Sequence, residues 1–158
     1  MKKVFVIVLH YKEPQLTKQC LESLHQLKTK NFSVKTIVVD NHSPEPLSAS
    51  NWPEVIFVKN KKNLGFAEGN NVGIRRALRR GADYILILNN DTKVAKDLLV
   101  QLMKVVEENK KIGIVAPKIY FAPGYEYHQT RYQPSDQGKV FWYAGGKIDW
   151  QNVLISHR

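Results

Sequence analysis

Cysteine is nearly absent. Cys20 is the only one in 158 residues, which rules out an internal disulfide and a cysteine metal cluster and fits a reducing compartment. Long apolar runs are missing as well: none approaches the roughly eighteen consecutive apolar residues that a membrane-spanning helix requires. The opening "MKKVFVIVLHYKEP" is basic at the front but has no small-residue cleavage site, so its apolar run reads as a buried strand rather than a signal peptide. There is no internal repeat and no low-complexity tract. No G-x-G-x-x-G follows the first strand and no G-x-x-x-x-G-K-[ST] occurs, which disfavours the dinucleotide-binding and P-loop classes. Acidic residues are few: 14 Asp and Glu against 24 Lys and Arg, a net charge of +10. Such a chain attracts anions, and nucleic acid, anionic lipid and phosphorylated small molecules are all compatible with it. In "IRRALRR" the pairs Arg75 with Arg79 and Arg76 with Arg80 fall on adjacent helical faces, and that charge reads as a solvated surface.

What is present is an alternation of short apolar strands and amphipathic helices. At 43% hydrophobic, the chain is long enough for one domain with its own core. "VFVIVLHY" (4–11) and "VKTIVVD" (34–40) are β-branched and apolar on successive residues, the pattern of strands buried on both faces. Between them Leu16, Cys20, Leu24 and Leu27 form one helical stripe behind Pro14, whose missing N–H is harmless at a helix start. "EVIFVK" (54–59), a helix over 66–81 closed by Gly81, "DYILILN" (83–89), a helix over 96–109 and a strand in "KIGIVAPKIYF" continue the series. This order predicts an α/β fold, a mostly parallel sheet flanked by helices through residue 121. Beyond Pro123 the polar, tyrosine-rich "PGYEYHQTRYQPSDQGK" predicts a loop, and "VFWYAGGKIDWQNVLISHR" predicts short strands around a Gly145-Gly146 turn.

In an open parallel sheet, ligands bind beyond the carboxyl ends of the strands. Here the first strand ends in His10-Tyr11, the second in Asp40-Asn41-His42-Ser43 and the fourth in Asn89-Asn90-Asp91-Thr92. Each cluster alone is compatible with turn chemistry, but three on one edge favour a site. "NKKNLGFAEGNN" adds Gly65 just ahead of a helix, with Gly69, Asn70, Asn71 and Gly73 in its first turns, more poor helix formers than helix stability alone would keep. Glycines permit close backbone approach, and a helix N-terminus suits a phosphate. For Gly73, tight packing of the helix on the sheet is equally compatible.

The segments "VIVLHYKEP", "IVVDNHSPE", "NKKNLGFAEGNNVGI" and "ILILNNDTKV", in this order and at these spacings, resemble the successive motifs of family 2 glycosyltransferases with a GT-A fold, particularly the rhamnosyltransferase-like branch. The resemblance implies a Rossmann-like nucleotide-diphospho-sugar transferase. Such an enzyme passes a sugar, with inversion, from a nucleotide-diphosphate sugar to an acceptor hydroxyl in cell-envelope polysaccharide or glycolipid synthesis. It further implies nucleotide-sugar binding by Leu9, His10, Tyr11, Asp40, Asn41, Gly65, Asn71, Asn89, Asn90 and Asp91. Asp40 would bond the base, Tyr11 and the backbone near Leu9 and His10 would line the base pocket, and Gly65 and Asn71 would lie beside the nucleotide and diphosphate. Asn89-Asn90-Asp91 stands where the family has D-x-D, which makes Asp91 the ligand of a divalent metal, Mg²⁺ or Mn²⁺. The first acid is replaced by an amide, Asn89, yet one carboxylate with substrate phosphates and water can suffice for Mg²⁺.

No acid after Asp91, among Asp97, Glu107, Glu108, Glu126, Asp136 and Asp149, sits in the family's general-base motif, so no catalytic base is assigned. The chain therefore reads as the nucleotide-sugar half of a longer protein, with 1–121 as the binding core and 122–158 as the beginning of an acceptor-side region. Expected partners are the sugar donor and a carbohydrate or lipid-linked acceptor, with no nucleic acid. The expected location is cytoplasmic, with peripheral contact at the inner membrane face. Two other classes compete. A sugar-phosphate nucleotidyltransferase usually carries a Gly-rich basic loop after its first strand, which "LHYKEPQ" lacks. A non-catalytic module binding anions or nucleic acid leaves the polar strand ends unexplained.

Overall fold

Valine and isoleucine crowd the first strand, and that crowding sets the layers. In the computed structural model, which describes residues 1–127 and 129–157, β1 (Lys2–His10) buries every residue from Val4 to Val8. A strand with no polar face must be covered on both sides, so β1 belongs inside a parallel sheet. β2 (Phe32–Asp40) pairs with it along one side and β4 (Tyr84–Asn89) along the other, while β3 (Ile56–Lys59) lies outside β2. The resulting order is β3-β2-β1-β4, and its parallel pairing is what the sequence predicts. Asp83 pins the first rung of β4 to β1: its carboxylate accepts the Lys3 N–H at 2.8 Å, and its own N–H donates to the Lys3 carbonyl at 2.9 Å.

Two helices cover the sheet. α2 (Gly65–Arg79) packs on the face formed by Phe5, Ile7, Ile37 and Val39, and α1 (Pro14–His25) buries Thr17, Cys20, Leu21 and Leu24. Side chains alternate along a strand, so His10, which bonds Thr17, points away from the face that carries Ile7 and Leu9. Gly69 and Gly73 lie on the inner side of α2, where a Cβ at Gly73 would sit 2.5 Å from Ile7 Cγ2 and one at Gly69 would sit 2.6 Å from Leu9 Cδ1. These two glycines serve helix–sheet contact, not approach to a phosphate. Arg75, Arg76, Arg79 and Arg80 are exposed, the solvated face expected of them.

The turn from β1 into α1 contains no glycine, although Lys12 (φ 61°) and Glu13 (φ 49°) are both left-handed. That conformation costs about 1–2 kcal/mol per residue. It is offset by the Lys12 N–H bonding Ser43 Oγ at 2.9 Å, and by the Glu13 carbonyl accepting from the Leu16 and Thr17 N–H groups at 3.1 and 3.4 Å.

Residues Met1–Gln101 form one compact unit and Leu102–Arg158 a second, with α3 (Leu98–Glu108) crossing the division. In the second unit, β5 (Ile119–Tyr120) pairs antiparallel with β6 (Phe141–Tyr143), and β7 (Gly146–Asp149) with β8 (Leu154–His157). Two expectations need correction. The strand predicted in "KIGIVAPKIYF" shrinks to Ile119–Tyr120 and joins no parallel sheet, since Pro117 has no N–H for a ladder and Ile114 is 93% exposed. The hairpin turns at 150–153 rather than at Gly145-Gly146, because the Asp149 carboxylate accepts the N–H groups of Gln151 and Asn152 and closes the turn there. Glu126 is buried, accepting from the N–H groups of Gly138 at 2.6 Å and Gly124 at 2.8 Å. The Gly138 bond chiefly holds its carboxyl below the usual carboxylate range. Among the described residues no helix is long and apolar enough to cross a membrane.

Gly73→Ala gains about 1 kcal/mol of helix propensity but meets the fully buried Ile7, a clash worth roughly 1–3 kcal/mol. Urea unfolding is expected to show a net loss of up to about 2 kcal/mol; greater stability than wild type would contradict the close packing.

Candidate nucleotide-sugar site

Register brings the polar strand ends together. His10 lies opposite Asp40, and Leu9 lies opposite Asn89, so β1, β2 and β4 finish at one edge. The chain leaves β1 for β2 on one side and reaches β4 on the other, which opens a crevice beyond their carboxyl ends. This cleft holds about 320 Å³ and is lined by Leu9, Tyr11, Asn41, Asn63, Gly65, Phe66, Asn89, Asn90 and Asp91. Its size suits a small ligand.

Each predicted residue has a distinct place. Asp40 is only 7% exposed, and its Oδ1 accepts the Ser43 N–H at 2.7 Å, leaving Oδ2 for another donor. Tyr11, 41% exposed, presents its ring at the rim with Lys12 Nζ 5.5 Å from the centroid. The His10 imidazole, in contrast, belongs to the core. Its Nε2 lies 2.8 Å from the Glu45 carbonyl, which can only accept, so Nε2 carries the proton and Nδ1 accepts from Thr17 Oγ1 at 2.9 Å. Only the backbone of His10 reaches the strand-end network, its carbonyl accepting the Asn41 N–H at 2.9 Å.

Asn41 is buried, and its amide is fully engaged. Nδ2 donates to Asn63 Oδ1 at 2.8 Å and to the Gly65 carbonyl at 3.1 Å, while Oδ1 accepts from Asn60 Nδ2 and the Leu64 N–H, both at 3.0 Å. This hub fastens the end of β2 to the β3–α2 linker. Its side chain thereby shapes the cleft wall and keeps no free polar group for a ligand. Gly65 takes φ 74° with open space at its Cβ position, the left-handed turn that glycine permits. Asn71 is not brought to the cleft: it is exposed on α2 and bonds Glu68 at 3.2 Å.

Asn89-Asn90-Asp91 is both a turn and a cleft wall. Thr92 Oγ1 donates to the Asn89 carbonyl at 2.6 Å, closing the turn, and Asn90 Nδ2 donates to Thr17 Oγ1 at 2.9 Å. The exposed Asp91 carboxylate is bonded by none of the described residues. The cleft lining includes the Asp91 carboxylate and the Asn89 and Asn90 side chains, whose oxygens are hard donors of the type that fits Mg²⁺ or Mn²⁺. The described residues contain no group of three His, Cys, Asp or Glu able to hold a metal, so phosphate oxygens and water must complete any such shell. Thr17, Asn60, Asn63 and Phe66 join the site without a motif that marks them. Thr17 had a signal: positions 17, 20, 21 and 24 follow helical spacing, and a polar residue on that buried stripe needs a partner.

The chain matches the family model described as "Glycosyl transferase family 2" over residues 5–156. It belongs to glycosyl transferase family 2. A Haemophilus influenzae protein described as an uncharacterized glycosyltransferase is 28% identical over 151 residues, covering 94% of this chain and 45% of that protein. Among solved structures, S. aureus TarS 1-349 in complex with UDP has a TM-score of 0.60 at 20% identity, covering 77% of this chain and 39% of that one. The mannosyltransferase PcManGT from Pyrobaculum calidifontis, in complex with GDP-Man and Mn²⁺, has a TM-score of 0.58 at 21% identity, covering 74% and 33%. These likenesses establish the GT-A-like, nucleotide-sugar-transferase fold. The chain spans less than half the length of each of these three relatives. Family membership disfavours both the nucleotidyltransferase and the nucleic-acid module.

Cys20 lies beneath this cleft, its Sγ 3.8 Å from the Asn89 carbonyl. Burial pushes its pKa from the ordinary 9.0 up to about 11, with a hydrogen bond to Thr92 opposing and the Asp91 charge adding to the rise. The fold favours the protonated thiol, so the stability it contributes is complete below pH 9 and lost as pH rises to about 11, roughly 3 kcal/mol in all. Denaturant titrations of wild type and Cys20→Ala across that window should show their stability difference shrinking; a constant difference would contradict the buried-thiol assignment.

Proposed function

We propose that the cleft between β1 and β4 binds a nucleotide-diphosphate sugar. A family 2 enzyme using this cleft would transfer that sugar, with inversion, to an acceptor hydroxyl in cell-envelope polysaccharide or glycolipid synthesis. One observation carries the reading: two carboxylates, Asp40 and Asp91, finish strands on opposite sides of β1, each with an oxygen that the described residues leave free. A base and a diphosphate make demands of that kind at two separated points. Asp40 Oδ2 accepts an N–H of the base, with Oδ1 held still by Ser43. Tyr11 offers its ring face to the base, and Leu9 supplies an apolar floor. At the start of α2 the Gly65 N–H is taken by Asn63 Oδ1 at 2.8 Å, so the first-turn donors offered to phosphate oxygens are the N–H groups that follow, of Phe66 and Ala67.

Asp91 holds the divalent cation, with Asn89 and Asn90 beside it. Such a cation, when bound, neutralises charge that develops on the departing diphosphate. UDP in the TarS complex, and GDP-Man with Mn²⁺ in the PcManGT complex, support this ligand class. The acceptor's proton needs a base that this chain does not assign. Net charge +10 favours a lipid-linked acceptor approached from the cytoplasmic face of an anionic membrane.

Calorimetry of UDP, dTDP and GDP, with and without Mn²⁺ or Mg²⁺, tests the reading. Asp40→Ala should weaken binding of the preferred nucleotide about tenfold or more with or without metal, as loss of a charged hydrogen-bond partner predicts. Asp91→Ala should remove only the metal-dependent increment. If neither variant changes binding, the cleft is not a nucleotide-diphosphate site.

A further inference from the structure

We propose that Thr17 and His10 are positioning residues that hold the Asn90 amide with its oxygen turned to the cation side of the donor site, an inference that rests on the donor-site reading above. An amide in an exposed turn exchanges its two ends freely. The Asn90 amide does not have that freedom. Its Nδ2 donates to Thr17 Oγ1 at 2.9 Å, and Thr17 is fully buried. The single hydroxyl proton of Thr17 is given to His10 Nδ1 at 2.9 Å, because Nε2–H is given to the Glu45 carbonyl at 2.8 Å. Turning Asn90 over would face two acceptors, Oδ1 and Thr17 Oγ1, with no proton between them. The direction of the amide is therefore fixed by a backbone carbonyl in the loop after β2.

With Nδ2 engaged, Oδ1 is the polar atom of Asn90 left without a partner among the described residues, in a side chain that lines the cleft beside Asp91. An amide oxygen next to a carboxylate is a ligand pair that hard divalent cations accept. This placement compensates for the single carboxylate in "NNDT". Groups that orient a metal's ligands commonly carry about tenfold or more of its affinity.

Calorimetry of the tightest-binding nucleotide among UDP, dTDP and GDP, with and without Mn²⁺, tests the inference on wild type, Thr17→Val, Thr17→Ser, Asn90→Asp and the double variant Thr17→Val/Asn90→Asp. Thr17→Val should weaken the Mn²⁺-dependent part of binding about tenfold and leave metal-free binding unchanged, while Thr17→Ser retains wild-type behaviour. In the Asn90→Asp background a carboxylate presents oxygen in either orientation and has no N–H for Thr17, so adding Thr17→Val should cost little. An equal effect of Thr17→Val in both backgrounds, or equal weakening with and without Mn²⁺, would overturn the inference. Should Thr17→Val fail to fold by thermal unfolding, Asn90→Ala serves instead: it should lose the same Mn²⁺-dependent increment, and an unchanged increment overturns the proposal. Wild type that binds no nucleoside diphosphate defeats the donor-site reading and this inference with it. Metal-dependent wild-type binding with a silent Thr17→Val defeats this inference alone.

Discussion

Leu9 lies opposite Val39 on one side and Asn89 on the other, and the cleft follows from that double pairing. β1 is buried on both faces and has a parallel neighbour on each edge. Parallel strands in register end together, and their last residues leave the sheet at one rim. The chain must also turn away in opposite directions to reach its next elements. A crevice at that rim is then a consequence of topology rather than of any one side chain. Gly69 and Gly73 add to it by letting α2 approach Leu9 and Ile7 closely, which sets Gly65 and Phe66 at the mouth.

Topology alone would leave the rim a set of independent loops. Two hydrogen-bonded systems join them. On one side the Asn41 amide fastens β2 to the β3–α2 linker through four bonds, using every donor and acceptor it has. On the other, Asn90, Thr17, His10 and the Glu45 carbonyl run from the end of β4 to the loop after β2. That loop in turn bonds Asp40 through the Ser43 N–H. Buried polar groups fully satisfied in this way rigidify a site, because each unmade bond would leave a costly orphan. The free acceptors at the cleft, Asp40 Oδ2 and the Asp91 carboxylate, are presented from a held frame.

Much of this was legible in the sequence, and for identifiable reasons. Successive apolar residues from Val4 to Val8 and from Ile37 to Val39 announce doubly covered strands, and alternation with helices announces a parallel sheet. The polar strand ends could be read because a parallel sheet has only one carboxyl edge. Two features escaped because a one-residue step changes their meaning. The stripe drawn through Leu16, Cys20, Leu24 and Leu27 overlooked Thr17, the residue that α1 buries beside Cys20 and Leu21. Likewise Asn71 was expected beside the diphosphate, whereas Asn70 is the amide buried on α2 and Asn71 faces solvent. His10 and Asn41 were correctly placed at strand ends, but their partners Glu45, Asn60 and Asn63 come from loops whose course no periodicity specifies. In the second unit apolar composition misled, since "GIVAP" is β-branched but has Pro117 where a ladder needs an N–H.

We propose the held rim between β1 and β4 as the place where a nucleoside diphosphate binds. Residue-resolved NMR of the backbone amides during titration with UDP, dTDP and GDP in the presence of Mg²⁺ tests it most directly. The preferred nucleotide should perturb residues 9–11, 40–43, 63–67 and 89–92 together and leave the exposed arginine face at 75–80 unmoved. Perturbation centred on Arg75–Arg80 with the strand ends silent would contradict it, and would return the basic charge of this chain to the role of a general anion-binding surface.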